Sequence, residues 1–300
     1  MKRIQITDDL SFSSVIHGLW RLNEWGLSTK ELQELMEWNI EQGITTFDHA
    51  DIYGSYTCEE LFGKVLKEVP SLRKKMEIVT KCGIVLPSEN RPAHKTHHYN
   101  TSKTHIIASV ERSLLNLHTD YIDTLLIHRP DPLMDPAEMA DAFNTLHKQG
   151  KVRTFGVSNF KPRHLRMLSS HMNVELVTNQ VEVSAYQLEN IWDGTLDYAL
   201  EKKMPIMVWS PLAGGKIFTS SDAKAVRIRE ATKKIASEID ASSIDEALYA
   251  WIYQHPCQVM PITGSHQKHR IQAALKGSKY TLTRDQWFEI LHASMGHDVP

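Results

Sequence analysis

The sequence has few cysteines, no long apolar run and almost no excess of charge of either sign. Its 300 residues include three cysteines, and an odd, sparse set does not predict a disulfide framework. No apolar run approaches the roughly 20 residues that span a bilayer, and the first residues lack the apolar core of a secretory signal. A net charge of −2 argues against a nucleic-acid partner, which usually binds a basic face. We therefore expect a cytoplasmic protein without a membrane or nucleic-acid partner.

The chain also lacks a linker rich in Gly, Ser or Pro and a glycine-rich turn after its first strand. A doubly wound dinucleotide-binding sheet would need G-x-G-x-x-G at that turn, where Gly18-Leu19-Trp20-Arg21 stands instead. Apolar strand-like runs alternate with helical stretches along the whole chain. This alternation predicts an α/β fold, a (β/α)8 TIM barrel that forms a single domain over residues 1–300.

The predicted elements comprise an N-terminal β-hairpin, eight barrel strands with partner helices, and two extra helices. The hairpin is expected at Lys2–Ile6 and Leu10–Ser13, and the barrel strands at residues 15–19, 44–47, 76–81, 122–127, 153–157, 176–179, 205–209 and 258–262. Cap residues and helical periodicity predict helices at residues 28–41, 57–67, 102–117, 136–149, 162–170, 193–203, 223–238, 243–254, 266–276 and 283–293. Ser243, with Glu246 three residues on, predicts a capping box.

Polar residues end almost every predicted barrel strand. They are Asp48, Lys81, His128, the pair Ser158 and Asn159, Gln180, Ser210 and Ser265. Because the carboxyl ends of parallel barrel strands lie on one face, we expect these side chains to converge there. Tyr53 follows Asp48 by five residues, so an acid, a phenol, an amine and an imidazole would meet. Such a set suits proton transfer better than packing.

The four residues complement one another chemically. A tyrosine with an ordinary pKa of about 10 is a reluctant proton donor near neutrality, and we expect the ammonium of Lys81 to lower that pKa. Asp48 would supply the counter-charge that a buried ammonium needs, and His128 would fix the direction of a substrate oxygen. Taken singly, the aspartate could be a cap, the tyrosine could be packing, and the lysine could form a Schiff base.

The motifs around these residues resemble those of the aldo-keto reductase superfamily, from about Gly18 to Ala274. The family's Asp-x-Ala-x-x-Tyr-Gly motif matches residues 48–54, its lysine matches Lys81, and its histidine matches His128. The family's Gly-x-Ser-Asn-Phe segment matches residues 156–160. The resemblance implies that tyrosine donates the proton, that lysine and aspartate tune it, and that histidine orients a carbonyl.

The resemblance also implies that NADPH binds across the barrel mouth without a Rossmann fold. The residues that match cofactor contacts of the family are Ser158, Asn159 and Gln180 for the nicotinamide carboxamide, Trp209 for stacking on the ring, Ser210 and Leu212 for the pyrophosphate, and Ser265 and Arg270 for the 2′-phosphate. Gly264 stands where many members have Lys, and Ala274 where many have Asn. These two departures weaken the phosphate and adenine contacts, so NADPH is favoured over NADH without being required.

The predicted activity is the NADPH-dependent reduction of a small aldehyde or ketone by a monomeric or weakly associated oxidoreductase. Trp20 and Trp25, in the loop after the first barrel strand, are expected to line an apolar substrate pocket, and Asp51 and Arg129 are secondary candidates for substrate contact. The histidine-rich loop at residues 94–98 favours a substrate lid over a metal site. Two alternatives stay open at this point: a non-catalytic NADPH-binding redox sensor or regulatory subunit, and a metal-dependent isomerase or hydrolase on the same barrel.

Overall fold

The computed structural model describes residues 2–299, in which strands and helices alternate. The strands are β1 (Arg3–Thr7), β2 (Leu10–Ser13), β3 (Ile16–Gly18), β4 (Thr46–Asp48), β5 (Glu77–Cys82), β6 (Ile84–Val85), β7 (His98–Tyr99), β8 (Ile122–Ile127), β9 (Val152–Ser158), β10 (Leu176–Glu182), β11 (Ile206–Trp209) and β12 (Val259–Thr263). The helices are α1 (Thr29–Glu41), α2 (Tyr53–Tyr56), α3 (Cys58–Glu68), α4 (Lys103–Asn116), α5 (Pro136–Lys148), α6 (Pro162–Ser169), α7 (Glu189–Trp192), α8 (Thr195–Lys202), α9 (Lys216–Thr219), α10 (Ala223–Glu238), α11 (Ile244–Tyr253), α12 (Lys268–Gly277) and α13 (Arg284–Met295).

Eight strands close into a barrel in the order β10-β11-β12-β3-β4-β5-β8-β9. The neighbouring pairs β3–β4, β4–β5, β5–β8, β8–β9 and β9–β10 are parallel, as is the pair β11–β12. Strands β1 and β2 form the antiparallel N-terminal hairpin. The predicted α/β barrel with a hairpin is therefore confirmed. No helix in residues 2–299 is long and apolar enough to cross a membrane.

The close contacts of the chain group it into two compact units, Met1–Gln180 and Val181–Pro300. In the first unit, the outer face of the sheet packs on α1 and α3 through an apolar cluster that includes Met36, Phe47, Phe62 and Ile78. The register of this unit sets Asp48 opposite Val79, and Lys81 opposite Leu126. The second unit has its own apolar cluster, in which the buried Trp251 stacks on Trp287 at 5.0 Å. The prediction of a single domain remains a prediction.

Local signals placed most helix starts correctly. The hydroxyls of Ser28 and Ser102 and the carboxylate of Asp135 cap α1, α4 and α5, as expected from their position before a helical pattern. The capping box predicted at Ser243 was half wrong. Its hydroxyl accepts from the backbone N–H of Glu246, but the Glu246 carboxylate accepts from the N–H of Ser242 at 2.9 Å.

Three other features differ from the prediction. The helix expected from His266 begins at Lys268, because Gln267 takes an extended conformation and precedes it as the N-cap. Strand β10 runs on to Glu182, beyond the predicted end at Asn179, since its backbone pairs with β9 as far as Gln180. Short elements within loops had no periodic signal and were missed; they are α2, α7, α9 and the paired strands β6 and β7.

Candidate active site

The side chain of Lys81 lies at the centre of a buried polar cluster. Its Nζ donates to both carboxylate oxygens of Asp48, each at 2.8 Å, to the carbonyl oxygen of His49 at 2.7 Å and to the hydroxyl of Tyr53 at 2.9 Å. The lysine side chain is fully buried, and that of Asp48 is 3% exposed. The structure thus brings together the acid, the amine and the phenol that the sequence separates by up to 33 positions.

Neighbouring parallel strands impose this geometry. Asp48 ends β4 beside β5, and Lys81 lies near the end of β5. The segment after Asp48 stays beside β5, because two of its backbone N–H groups donate to β5. The N–H of His49 donates to the carbonyl of Val79, and the N–H of Asp51 donates to the carbonyl of Lys81. As a result, Tyr53, the first residue of α2, lies beside the ammonium of Lys81.

The backbone immediately after Tyr53 is strained. Gly54, Ser55 and Tyr56 all have positive φ, at 56°, 55° and 73°, and L-residues other than glycine seldom take that conformation. At Gly54 a Cβ would lie 2.6 Å from the Cys58 sulfur, so glycine is also required for space. Strain of this kind concentrates at functional sites, and here it follows directly after Tyr53.

His128 follows β8 and lies beside the phenol. Its N–H donates to the carbonyl of Cys82 at 2.9 Å, which fixes the backbone, and its ring meets that of Tyr53 edge to face at 5.9 Å between centroids. Burial, with the charges of Lys81 and Arg129, holds the pKa of His128 well below its usual range. The imidazole is therefore neutral and can donate one hydrogen bond to an oxygen.

Burial opposes the charges of the central ion pair. It raises the pKa of Asp48, which the Lys81 ammonium opposes, and it lowers the pKa of Lys81, which Asp48 opposes. The same burial, with the charge of Asp48, raises the pKa of Tyr53 well above 10. The expectation of a lowered pKa was wrong, because burial and the charge of Asp48 outweigh the charges that lower the pKa of Tyr53.

Three of the predicted cofactor residues lie next to these groups. The hydroxyl of Ser158 donates to the carbonyl of Gln180 at 2.9 Å, and the Asn159 amide donates to Ser158 Oγ at 2.8 Å. The side chain of Gln180 donates to Asp48 Oδ1 at 2.7 Å. Sequence reasoning missed this last contact, since nothing in the sequence pairs residues 132 positions apart.

The remaining cofactor candidates lie in the second unit. Trp209 ends β11 and is half-buried, Ser210 follows it with φ 48°, and Leu212 packs against the apolar cluster of that unit. Ser265 and Arg270 flank the start of α12. Ser265 Oγ accepts from the N–H of Gln267 at 3.1 Å, and Arg270 is exposed in the first turn.

The two candidate substrate residues have different surroundings. Trp20 is 58% exposed, and the guanidinium of Arg21 lies 5.1 Å from its ring. Trp25 is half-buried, stacks on His17 at 5.6 Å and packs against the apolar cluster of its unit. A substrate role therefore stays a prediction for both residues, and Trp25 has a packing role in any case.

The histidine-rich loop forms specific contacts of its own. His94 Nδ1 lies 3.3 Å from the hydroxyl of Tyr56 and 3.1 Å from the carbonyl of Leu86. His98 belongs to β7, which pairs with β6. In residues 2–299 no group of three His, Cys, Asp or Glu side chains is placed to hold a metal ion. The predicted lid function of this loop remains a prediction.

The fold is a closed eight-stranded barrel, with the lysine, aspartate and tyrosine joined by hydrogen bonds at its strand ends. The family model described as the aldo/keto reductase family matches residues 14–294, and the chain belongs to this family. It is 61% identical to the oxidoreductase YcsN of Bacillus subtilis, with 100% of both chains covered. It is 40% identical to a 6-dehydroglucose reductase of Agrobacterium fabrum, again with 100% of both chains covered.

Solved structures show the same fold. The thermostable aldo-keto reductase Tm1743, solved in complex with the inhibitor epalrestat, superposes with a TM-score of 0.81 at 24% sequence identity. The match covers 98% of this chain and 100% of that one. The predictions of the family and of the barrel are therefore both confirmed, and the protein is an oxidoreductase of the aldo-keto reductase family.

Proposed function

We propose that this oxidoreductase reduces an aldehyde or ketone to an alcohol with NADPH, and that Tyr53 donates the proton. The observation that carries the proposal is the hydroxyl of Tyr53, 2.9 Å from the ammonium of Lys81, which Asp48 holds through both carboxylate oxygens. A phenol in this position can give its proton to a carbonyl oxygen that gains negative charge, and the ammonium stabilises the phenolate that remains.

Each residue has a separate task in this proposal. Tyr53 keeps its proton until a substrate oxygen takes it, because its pKa is raised by burial and by Asp48. His128, neutral because burial lowers its pKa, donates a hydrogen bond that orients the carbonyl oxygen. Asp48 holds the ammonium in place beside the phenol, and Gln180 orients Asp48.

The polar residues of the first unit fit the carboxamide of NADPH. One hydrogen-bond network connects Ser158, Asn159 and Gln180. Together these residues offer both donors and acceptors, and the carboxamide of NADPH needs both kinds of partner. When bound, NADPH supplies the hydride. The fit in this unit rests on the chemistry of these side chains and on their proximity to the tetrad of Asp48, Tyr53, Lys81 and His128.

Residues of the second unit fit the other parts of the cofactor. Arg270 and Ser265 lie at the start of α12, where no side chain caps the first N–H groups, and free N–H groups at a helix start favour an anion such as the 2′-phosphate. Trp209 would stack on the nicotinamide, and the turn from Ser210 to Leu212 would approach the pyrophosphate. We propose NADP(H) rather than NAD(H) on the strength of Arg270, whose forked donors suit a dianion.

The substrate is a small carbonyl compound. The 6-dehydroglucose reductase of Agrobacterium fabrum covers the whole chain at 40% identity, which supports a sugar-derived aldehyde as the finer candidate. Trp20 and Trp25 remain candidates for the walls of the substrate pocket. All three cysteines are free and buried, which agrees with a reducing compartment, and we propose a cytoplasmic monomer or weak oligomer.

Replacing Tyr53 with phenylalanine tests the proposal. This change removes one oxygen atom, and we expect kcat for reduction of an aromatic aldehyde to fall by about 100-fold or more, while the dissociation constant of NADPH stays near that of the wild type. The decrease in NADPH absorbance measures kcat, and the quenching of protein fluorescence measures binding. Tyr121→Phe, which keeps the ring under the Arg73 guanidinium at 3.9 Å, is the matched control and should retain full activity.

Two results would contradict the proposal. Comparable turnover by Tyr53→Phe and the wild type would remove this residue from its role. NADPH binding by the wild type without steady consumption, across a panel of aldehydes, sugars and ketones, would instead favour the non-catalytic sensor.

A further inference from the structure

A cavity lies in the first unit, between α4 and the loop at residues 86–98. Its volume is about 100 Å³, and a single water needs only about 10–15 Å³ by this measure, so several waters or one small oxyanion would fit. The side chains that line it are Asp51, Tyr56, Ile84, Arg91, His94, His105, Ala108, Ser109, Arg112 and Asn116. Five of these residues come from one face of α4, and none of the ten belongs to the proposed catalytic tetrad.

One side of the cavity is rich in positive charge. The guanidinium of Arg91 lies 4.7 Å from the ring of Tyr56 and donates to the carbonyl of Asn90 at 2.7 Å. Neither Arg91 nor Arg112 forms an ion pair with a carboxylate in the part of the chain that the structure describes. Burial, and then the charge of Arg112, lower the pKa of Arg91, and the charges of Tyr56, Asp51 and Glu59 oppose this shift.

A histidine side chain also lines the cavity. His105 lines the cavity from the first turn of α4, and its pKa is lowered by burial and then by His94, His98 and Arg112. The lowered pKa favours the neutral imidazole, whose ring can donate one hydrogen bond to a bound anion. An anion between the guanidinium groups of Arg91 and Arg112 would form charge-assisted hydrogen bonds with both.

One carboxyl oxygen in the lining of the cavity lacks a hydrogen-bond partner. Asp51 Oδ1 is buried and forms no hydrogen bond, and burial with the charge of Glu59 raises the pKa of Asp51 well above its usual range. In its neutral form this carboxyl is a hydrogen-bond donor. The oxygens of Glu59 accept from Thr80 at 2.7 Å and from Asn116 at 3.4 Å, so Glu59 is already engaged elsewhere.

We propose that this cavity binds one small tetrahedral oxyanion, such as inorganic phosphate or sulfate. Guanidinium groups from Arg91 and Arg112 would hold the anion, and Ser109, His105 and the neutral carboxyl of Asp51 would donate to its remaining oxygens. A cation does not fit, since two unpaired guanidinium groups would face it. Water alone would satisfy Asp51, but only an anion would form charge-assisted hydrogen bonds with both arginines.

The site adjoins the catalytic residues through the backbone. The N–H of Asp51 donates to the carbonyl of Lys81 at 3.0 Å, and the ring of Tyr56 is three residues from Tyr53. The proposal is independent of the proposed catalytic function, however, because it concerns a separate set of side chains and its readout is binding.

Titration calorimetry with inorganic phosphate, and separately with sulfate, tests the proposal on the full chain without nucleotide. We expect saturable binding of one anion, and a dissociation constant raised at least about tenfold in Arg112→Ala, because one charge-assisted hydrogen-bond pair is lost. Arg112 is exposed on α4, so its removal leaves the fold intact, and the midpoint of thermal unfolding without anion checks this.

Three further variants make the result specific. Arg163→Ala removes another exposed arginine of the same unit and should bind the anion as the wild type does. Arg270→Ala removes the arginine proposed for the cofactor phosphate and should also leave this binding unchanged. Asp51→Asn keeps a neutral donor at the unpartnered wall and should retain binding within about threefold, as expected for exchange of one neutral hydrogen-bond donor for another.

Several outcomes would overturn the proposal. The first is that the wild type shows no saturable binding of either anion. The second is that Arg112→Ala binds the anion as tightly as the wild type does. The third is that only Arg270→Ala loses binding, which would assign the anion to the cofactor site. A crystal soaked in sulfate offers a direct check. Density for sulfate between Arg91 and Arg112 supports the proposal, and density for ordered waters alone, in a crystal that binds sulfate elsewhere, contradicts it.

Discussion

Replacing Lys81 with methionine is expected to lower the free energy of unfolding by about 4 kcal/mol at pH 7. The change leaves the Asp48 carboxylate buried, without its ammonium partner and with the amide of Gln180 still donating to it at 2.7 Å. The carboxyl then has to take up a proton. With an ordinary aspartate pKa of about 4, protonation at pH 7 costs three units of about 1.4 kcal/mol each, which agrees with the cost of about 3–5 kcal/mol for breaking a buried ion pair.

The loss should depend on pH in a defined direction. In the variant, the buried Asp48 has a higher pKa in the folded state than in the unfolded chain, so the folded state binds a proton that the unfolded state releases. Stability then falls as pH rises from about 4 to 7. The penalty at pH 5 is only about 1.4 kcal/mol, because one unit separates that pH from the ordinary pKa.

Urea unfolding, followed by far-ultraviolet circular dichroism at pH 5 and pH 7, measures this loss. The double variant Lys81→Met with Asp48→Asn is the control, because it removes both charges and keeps an amide of the same shape as the carboxylate. We expect the double variant to recover at least half of the loss at pH 7. Equal losses at the two pH values, or a double variant whose loss is the sum of the two single losses, would refute a buried ion pair at this position.

Three further predictions concern packing, pH and the cofactor. Gly63→Ala should lower the free energy of unfolding, measured by urea denaturation, by more than about 2 kcal/mol. The reason is that the new Cβ would lie 1.8 Å from the carbonyl oxygen of Asn116. Lys64→Ala, at the exposed neighbouring residue, is the control. Burial lowers the pKa of His49 to about 3, so the unfolded chain binds the proton first and stability falls as pH drops below about 6.5. His49→Leu should therefore lose about 2 kcal/mol less than the wild type between pH 7 and pH 5, and equal losses would contradict a neutral buried imidazole. Arg270→Ala should raise the KM for NADPH at least about tenfold and that for NADH little, and equal changes for both would argue against a 2′-phosphate contact.

The fold was predictable from the sequence because its signals are local and repeat many times. Apolar runs and capping residues such as Ser28 and Ser102 recur at the spacing of strand and helix, and each cap hydroxyl accepts from the helix N–H that the pattern indicates. Strand ends were less predictable, because pairing with the neighbouring strand decides them. Strand β10 extends three residues beyond Asn179 for this reason.

The proposed catalytic residues were predictable for a different reason. Asp48, Lys81 and His128 each stand at or directly after the end of an apolar strand, and barrel topology alone requires those ends to meet. The partners that hold them were not predictable. The bond from Gln180 to Asp48 and the approach of the His49 carbonyl to Lys81 depend on side-chain directions and on a loop path that no periodicity encodes.

The direction of the pKa shift at Tyr53 shows why pairwise reasoning from sequence fails in a buried site. An isolated ammonium beside a phenol would lower its pKa. Here Asp48 lies 2.8 Å from the ammonium of Lys81, and its charge raises the pKa of the phenol in the same direction as burial does. Burial then decides, and Tyr53 keeps its proton. If Tyr53 is the proton donor that we propose, it is fully protonated before substrate binds and can act over a wide range of pH, and the substrate oxygen would take its proton.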